Sequence, residues 1–134
     1  DDFSSSYLAK KSEGSKRAIK NFIMDSRVVV GVGNIYANEA LFLARIHPLR
    51  LAGTLSTQEW NKLQCNIVSV LRAGIKAGGT TLQDFVDGSG KPGYFQQQLL
   101  VYGRDNEPCS ECGEILRKEV IGQRSSWFCP KCQH

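Results

Sequence analysis

The sequence predicts a mainly α-helical chain that ends in a small zinc-bound β-hairpin. Three observations carry this: two CxxC pairs near the C-terminus, apolar residues at helical spacing from Ile19 to Leu71, and one short β pattern between the cysteine pairs. Cys109 and Cys112 are separated by sixteen residues from Cys129 and Cys132. A CxxC turn presents two sulfurs from one tight loop, and two such loops supply the four soft ligands of a tetrahedral Zn²⁺. Such a site leaves no open position for water, so the one zinc ion expected here is structural. The alternative is a pair of disulfides, which would close very small rings and suits secreted chains. A redox CxxC would open a helix after a buried strand, and neither pair does.

The elements follow in order. Residues 3–10 read as a short helix, with Phe3, Ser4 and Ser5 as N-cap options, and a basic, flexible KSEGSKR stretch comes next. From Lys16 to Val30 the apolar residues Ile19, Phe22, Ile23 and Val30 recur at helical spacing. Gly31-Val32-Gly33 breaks that helix. Asn34 stands where an N-cap belongs, and Ile35 to Ala44 reads as a second helix with Asn38 and Glu39 on its polar side. Pro48 ends the unit. Leu55-Ser56-Thr57-x-Glu59 is a helix start capped by Ser56 or Thr57, after which Trp60, Leu63, Ile67, Val70 and Leu71 trace one apolar face to about Ala77. Cys65 falls in this pattern beside Ile67 and Val68, where a buried, inert thiol is expected.

Gly78-Gly79 stops the long helix. The polar, Gly-rich TTLQDFVDGSGKPGYFQQQ then reads as a loop, and loops of that length are usually functional or disordered. Leu99 to Tyr102 reads as a short strand leading into the cysteine-rich tail. There, Ile115 to Ile121 and Ser126 to Phe128 are expected to pair as a hairpin around Gly122-Gln123-Arg124-Ser125. The expected division is residues 1–98, with a loop at about 80–95, and residues 99–134.

Composition narrows the function classes. The chain of 134 residues is 41% apolar and 22% charged, ordinary values for a globular protein with one modest core. No apolar run approaches the roughly 20 residues that span a bilayer, so no membrane partner is expected. The start, DDFSSSYLAKK, is acidic and polar without an initiator Met, which predicts a fragment with no secretory leader. An unpaired thiol fits a reducing cytoplasm. The formal charge is +4, but Lys10 to Arg27 holds six basic residues against two acidic ones, whereas residues 104–134 balance five against five. Four thiolates around zinc lower the total to about +2. The tail is therefore no polycationic foot, and the first segment supplies any diffuse attraction to nucleic acid. On charge alone a solvated surface explains the same residues.

Val30-Gly31-Val32-Gly33-Asn34-Ile35-Tyr36 joins two helices by a Gly-rich turn. Small residues there let a phosphate approach backbone N–H groups and the Asn34 amide; simple helix packing is the alternative. It is not a Walker loop, since no Gly-Lys-Ser/Thr follows, and it lacks the strand and acidic residue of a dinucleotide site. A second phosphate-competent element is the hairpin tip with Arg124, so two such elements bracket the long loop.

GVGNIYANEALFLARIHP, GGTTLQDFVDGSGKPGYFQQQLLVYGR, EPCSECG and QRSSWFCPKCQ resemble the C-terminal half of bacterial formamidopyrimidine-DNA glycosylases, from Tyr7 to the end. The resemblance implies a helix–two-turn–helix DNA-binding domain with a zinc finger, packed in the family against an N-terminal catalytic domain. Such enzymes evert oxidised purines (8-oxoguanine and formamidopyrimidines) from duplex DNA, excise them, and cut the strand by β,δ-elimination. Their attacking amine is an N-terminal proline in the first domain; this chain begins at Asp1, so alone it is expected to be inactive. The sister endonuclease VIII group remains an alternative, as do a stand-alone DNA-binding module and a zinc-ribbon protein-interaction domain.

Matching positions imply roles. Asn34 is similar to the turn residue that binds phosphates flanking the lesion, and Arg124 to the finger arginine that grips the lesion's phosphate and donates a proton in δ-elimination. Tyr102 matches a phosphate-contacting tyrosine, Lys118 a weaker backbone contact, and Lys16 and Lys20 a basic stretch facing DNA. Ser15 stands where some members carry lysine. Thr80, Leu82, Gln83, Asp84 and Phe85 match the start of the loop that closes over the everted base, with Gln83 where members often carry Lys or Arg. The implied partners are damaged duplex DNA and the missing N-terminal domain, in a monomeric, cytoplasmic bacterial enzyme. His47 is expected to be a cap or surface residue, and His134 a rival ligand for zinc at a site the cysteines already fill.

Overall fold

In a computed structural model of the protein, residues 4–29, 31–76 and 99–134 are described. Along them run α1 (Ser5–Lys11), α2 (Ile19–Met24), α3 (Asn34–Ala44), a 3-10 turn (Ala52–Thr54), α4 (Thr57–Lys76), β1 (Arg117–Ile121) and β2 (Arg124–Phe128). The mainly helical bundle with one antiparallel hairpin is the predicted class. The loop expected at 80–95, with Thr80, Leu82, Gln83, Asp84 and Phe85, lies outside the described residues.

Local chemistry sets most helix ends. Ser4 caps α1 by accepting the Tyr7 N–H at 3.1 Å. At α4, Ser56 Oγ accepts the Glu59 N–H while Glu59 Oε1 accepts the Ser56 N–H, at 3.1 and 2.8 Å; this reciprocal box makes Ser56 the cap. α3 ends on Arg45 in the left-handed region (φ 61°), with the Ile46 N–H returning to the Leu41 carbonyl at 3.0 Å.

Two helical expectations need correction. The helix expected from Lys16 to Val30 spans only Ile19–Met24, because Asp25 Oδ1 accepts the Arg27 N–H at 2.9 Å and closes a turn instead. Asn34 is the first residue of α3, not its cap; Gly33 occupies the cap position and Asn34 turns its amide elsewhere.

α3 is the centre of the molecule. Nine of its residues, Ile35 to Phe42 and Ala44, are buried, so it has almost no solvent face. One core joins it to Leu8 of α1, Ile19, Phe22 and Ile23 of α2, and Trp60, Leu63 and Ile67 of α4. Phe22 meets Trp60 edge-on with ring centroids 5.8 Å apart. Phe42, at the far end, belongs to a second cluster with Val101, Leu116, Trp127 and the zinc-finger cysteines.

Asn38 and Glu39 are therefore not on a polar surface: they are 1% and 3% exposed. Each is satisfied by backbone. Asn38 Oδ1 accepts the Trp127 N–H at 2.8 Å, while its Nδ2 donates to the Asn34 carbonyl. The Glu39 carboxylate accepts the N–H groups of Leu100, Val101 and Tyr102 at 2.7, 2.9 and 2.9 Å. Leu99 to Tyr102 is accordingly not a strand. Its amides wrap a carboxylate rather than a neighbouring chain.

β1 and β2 pair antiparallel in the register Ile121↔Arg124 to Arg117↔Phe128. The turn is Gly122-Gln123, both with positive φ (60° and 70°), the two-residue form whose twist suits a hairpin. Arg124 is thus the first residue of β2 and not part of the turn. A side chain at Gly122 would run into the Asn21 amide of α2, so glycine serves both conformation and close approach. Cys65, expected to be buried, is exposed, because it sits off the Trp60–Leu63–Ile67 face.

Glu39→Ala would strip three N–H groups of their acceptor and should cost at least about 3 kcal/mol of unfolding free energy. Glu39→Gln keeps one carbonyl oxygen and should cost less. Denaturant unfolding of the zinc-loaded protein measures both, and small, equal losses would show that these amides find other acceptors.

Candidate functional site

The four sulfurs of Cys109, Cys112, Cys129 and Cys132 lie within 4.8 Å of one another, and none is in a disulfide. The close approaches are between knuckles, 3.9 Å for Cys109–Cys132 and 3.5 Å for Cys112–Cys129. Sulfurs at about 2.3 Å from a tetrahedral zinc are about 3.8 Å apart, so the set fits one Zn²⁺. Burial, and then the neighbouring sulfurs, push the Cys132 thiol up to about 12, and only a cation can hold four thiolates together here. The knuckles are pre-shaped by N–H···S contacts from Glu111 to Cys109 at 3.4 Å and from Cys132 to Cys129 at 3.3 Å. His134 lies outside the sulfur cluster. Its backbone instead pairs with Arg45 and His47, at 3.1 and 3.0 Å.

The second knuckle is bolted to the end of α3. Gln133, 2% exposed, accepts the Cys129 N–H at 2.8 Å and donates to the Ile46 carbonyl at 2.9 Å. His47 packs its ring on Phe128 with centroids 4.5 Å apart, and its Nδ1 accepts the Leu49 N–H at 3.0 Å. Partial burial holds its pKa below the usual value, in keeping with a neutral acceptor. It therefore closes the turn after α3 and caps no helix, since α3 ends on Arg45.

The start of α3 and the hairpin meet at the second candidate site. Asn34 Nδ2 donates to the Ser125 carbonyl at 3.0 Å. The same carbonyl accepts from Lys20 Nζ at 3.0 Å, and Lys20 also donates to Ser126 Oγ at 2.5 Å. Lys20 is fully buried, so it does not present its charge to DNA from the surface, contrary to expectation. It is a latch from α2 to β2. Burial, and then the Arg124 charge, lower its pKa to about 8. Arg124 is exposed next to this latch, and its side chain has no hydrogen-bond or ion-pair partner among the described residues. Two predicted elements, distant in the sequence, are thereby brought together.

Tyr102 and Lys118 gather around Trp127 instead. Tyr102 packs against it with the rings tilted by 53° and centroids 4.5 Å apart, and Lys118 Nζ lies 5.6 Å from the ring centroid. Trp127 Nε1 donates to Asp105 at 2.8 Å. Lys16 is exposed in the segment before α2.

The same arrangement of helices and finger recurs in known proteins. The family model described as formamidopyrimidine-DNA glycosylase H2TH domain matches residues 1–86, and that of a zinc finger found in FPG and IleRS matches residues 106–134. The chain belongs to the formamidopyrimidine-DNA glycosylase H2TH domain family. It is 57% identical over 133 residues to formamidopyrimidine-DNA glycosylase of Vibrio parahaemolyticus, covering 99% of this chain and 49% of that protein. The corresponding protein of Syntrophotalea carbinolica is also 57% identical, over 98% of this chain and 49% of its own length. The chain therefore spans about half the length of these curated relatives. Among solved structures it is similar to Lactococcus lactis Fpg in complex with abasic-site DNA, with a TM-score of 0.89 and 34% identity over 98% of this chain and 48% of that one. MutM (Fpg) of Thermus thermophilus gives 0.87 and 39%, over 98% and 50%.

In this H2TH family member the zinc finger is structural, as its closed four-sulfur set requires. Sequence reading missed the side chains that dock it: Asn38, Glu39 and Gln133. A signal was available for the first two, since IYANEALFLA is apolar on nearly every side, and a helix of that kind is buried all round. Any polar residue in it must then find an internal partner. Among the described residues no helix is long and apolar enough to cross a membrane.

Removing zinc by strong chelation should release residues after about Arg104 and leave the α1–α4 core folded, because thiolate ligation is what folds the tail. Near-ultraviolet circular dichroism of Trp127 against Trp60 separates the two parts, and an unchanged tail without metal would refute a structural zinc.

Lys20 sets a pH dependence. Its pKa in the folded protein, about 8, lies below the usual lysine value of 10.5, so the unfolded chain holds more protons between those values. Stability from this group is full above the unfolded value and is lost as pH falls through about 8. The unfolding free energy of wild type minus that of Lys20→Met should rise from pH 8 to 10.5, and a flat difference would show that Lys20 titrates normally.

Proposed function

We propose that this chain is the DNA-gripping part of a base-excision glycosylase and AP lyase acting on oxidised purines such as 8-oxoguanine and formamidopyrimidines. The observation that carries this is the junction at Ser125, where its carbonyl joins Asn34 at the N-terminus of α3 to β2 beside Arg124. A helix N-terminus and a guanidinium with no partner among the described residues, on one rigid junction, make two anion-binding points at a fixed separation. A duplex held at two phosphates can be bent, and bending lowers the cost of everting a base. The solved relative bound to abasic-site DNA supports the same reading.

The zinc has no part in the chemistry under this proposal. It fixes the hairpin, and the hairpin fixes Arg124. Asn34 Nδ2 retains one hydrogen beyond that given to Ser125, and Arg124 supplies charge and a proton donor where a strand break leaves its phosphate. Tyr102 and Lys118, grouped on Trp127, offer weaker backbone contacts, and exposed Lys16 adds diffuse attraction. Lys20 acts indirectly, by holding β2. The attacking amine comes from sequence outside this chain, in a domain of the same cytoplasmic, monomeric protein. Residues 80–95 would read the everted base. In this division residues 1–98 form the helix–two-turn–helix domain, and residues 99–134 the finger.

The test is binding to a duplex containing an abasic-site analogue over a range of salt. Arg124→Ala should lower the log–log salt slope by about 0.9, the value for one phosphate. Asn34→Ala should weaken binding about fivefold, as for one neutral hydrogen bond, with the slope unchanged. Wild-type affinity in both variants would refute the two-point grip. The chain alone should form no borohydride-trapped adduct with 8-oxoguanine DNA, and a trapped adduct would place the nucleophile here.

A further inference from the structure

A cleft of about 510 Å³ lies between α2 with its following turn and the hairpin turn, beside the junction at Ser125 and sharing Arg124 with it. Arg17, Asn21 and Asp25 line one side, Gly122 and Arg124 the other, and Arg27 stands at the rim. The Asp25 carboxylate is the organising group. Its Oδ1 accepts from the N–H and Nε of Arg27 at 2.9 and 3.1 Å. Its Oδ2 accepts from Arg27 Nη2 and Arg17 Nη1, both at 2.9 Å. Arg17 Nη2 is fixed again on the Asn21 carbonyl at 3.3 Å. These donors hold the Asp25 carboxyl far below the usual carboxylate range, so it is charged at every working pH.

One carboxylate thus immobilises two guanidiniums, while Arg17 and Arg27 stay 46% and 84% exposed and Asp25 only 10%. A surface ion pair adds little to stability. A second exposed arginine on a carboxylate already paired does little for the fold, but it does hold N–H donors in a fixed place. Arg124 lines the same space, without a hydrogen-bond or ion-pair partner among the described residues. Arg17 and Arg27 against one carboxylate leave that side net positive without counting Arg124, in a cleft large enough for an anion. Met24 lines both this cleft and the depression under Gly31 and Gly33 at the start of α3. The positive cleft and that depression are thus neighbours that share the Met24 side chain as a wall.

We propose that Arg17 and Arg27, held in place by Asp25, bind one phosphodiester of the DNA backbone, separate from the phosphate gripped by Arg124. This rests on the DNA-gripping reading above. It makes the grip three-pointed and extends the footprint past the hairpin turn. Removing the arginines alone would leave a bare carboxylate facing DNA, so the informative variant is the triple Arg17→Gln, Asp25→Asn, Arg27→Gln.

The experiment measures salt-dependent binding of a duplex with an abasic-site analogue by zinc-loaded wild type, the triple variant, Arg17→Lys/Arg27→Lys and Arg124→Ala. The triple variant should lose about 0.9 from the log–log slope, and the lysine pair should retain the wild-type slope. Walking one neutral methylphosphonate along the backbone gives a second reading. In wild type, two phosphates on the finger side should be sensitive; the triple variant should become indifferent to one of them, where Arg124→Ala stays sensitive. Wild-type binding with a triple variant of unchanged slope and affinity overturns this inference alone. So does loss of sensitivity at the same phosphate in both variants, or a single sensitive phosphate in wild type. Absence of any salt-dependent duplex binding by wild type overturns the DNA-gripping reading and this inference together.

Discussion

Asn34, Asn38 and Glu39 lie along a helix that is apolar on nearly every other side, and two of the three reach the hairpin while Glu39 holds its approach. Buried polar groups without partners cost far more than their hydrogen bonds gain. At Asn38 and Glu39 the helix and the zinc finger therefore satisfy each other, whereas Asn34 is satisfied only through its Nδ2 and keeps a buried Oδ1 without a partner among the described residues. Asn38 meets the Trp127 N–H in β2, Asn34 meets the Ser125 carbonyl, and Glu39 gathers three amides from the segment that leads to the finger. Gln133 closes the far end on the Ile46 carbonyl. With α3 packed on nearly every side, this polar row has no freedom to shift.

That rigidity explains how two weak signals make one site. A Gly-rich turn and an exposed hairpin arginine are each common, and neither specifies an anion. Here a single carbonyl, Ser125, accepts from both Asn34 and Lys20, so the start of α3, the side of α2 and the start of β2 are pinned at one point. Arg124 emerges from that point. Lys20 contributes from beneath: its ammonium is held by two oxygens, and burial first, then the Arg124 charge, make it bind its proton less tightly. The cost is electrostatic. Two cations at one junction are tolerable where an anion is to be received, and they repel each other when none is present. The Asp25 network beside it solves the opposite problem, using one anion to hold two cations open to solvent.

The zinc centre fits this scheme as a fastener. Its sulfurs come from two knuckles on either side of the hairpin, three of them buried against Phe42, Leu116 and Trp127. A chain of this length has a limited core, and a tail with few apolar residues needs a metal to hold its shape. The finger's acidic and basic residues balance, so its value to an anion site lies in where it places Arg124 and not in bulk charge.

Features set by short-range chemistry were legible in the sequence. The CxxC spacing, the Ser56–Glu59 box, the apolar stripe of α4 and the Gly-containing hairpin all depend on residues near one another in the chain; the first three are where they were expected, and the hairpin forms there with a turn of two residues instead of four. The departures share one cause. The end of α2 at Met24 is set by an Asp25 that also binds Arg17, and the wrapping of residues 100–102, the burial of Lys20 and the tight turn against Asn21 likewise depend on partners that the local pattern does not display. Lys20 and Ser126 are 106 residues apart, and Glu39 and Leu100 are 61 apart. Periodicity along a chain records which residues want to be buried, because transfer from water is a property of the residue itself. It does not record which polar group will be met inside, since that depends on how whole elements pack. Local pattern was thus enough for the fold class, the metal ligands and the choice of Asn34 and Arg124 as candidates. The packing of α2, α3 and β2 against one another is what gathers those two at the Ser125 junction, and what puts Lys20 beneath them rather than beside them.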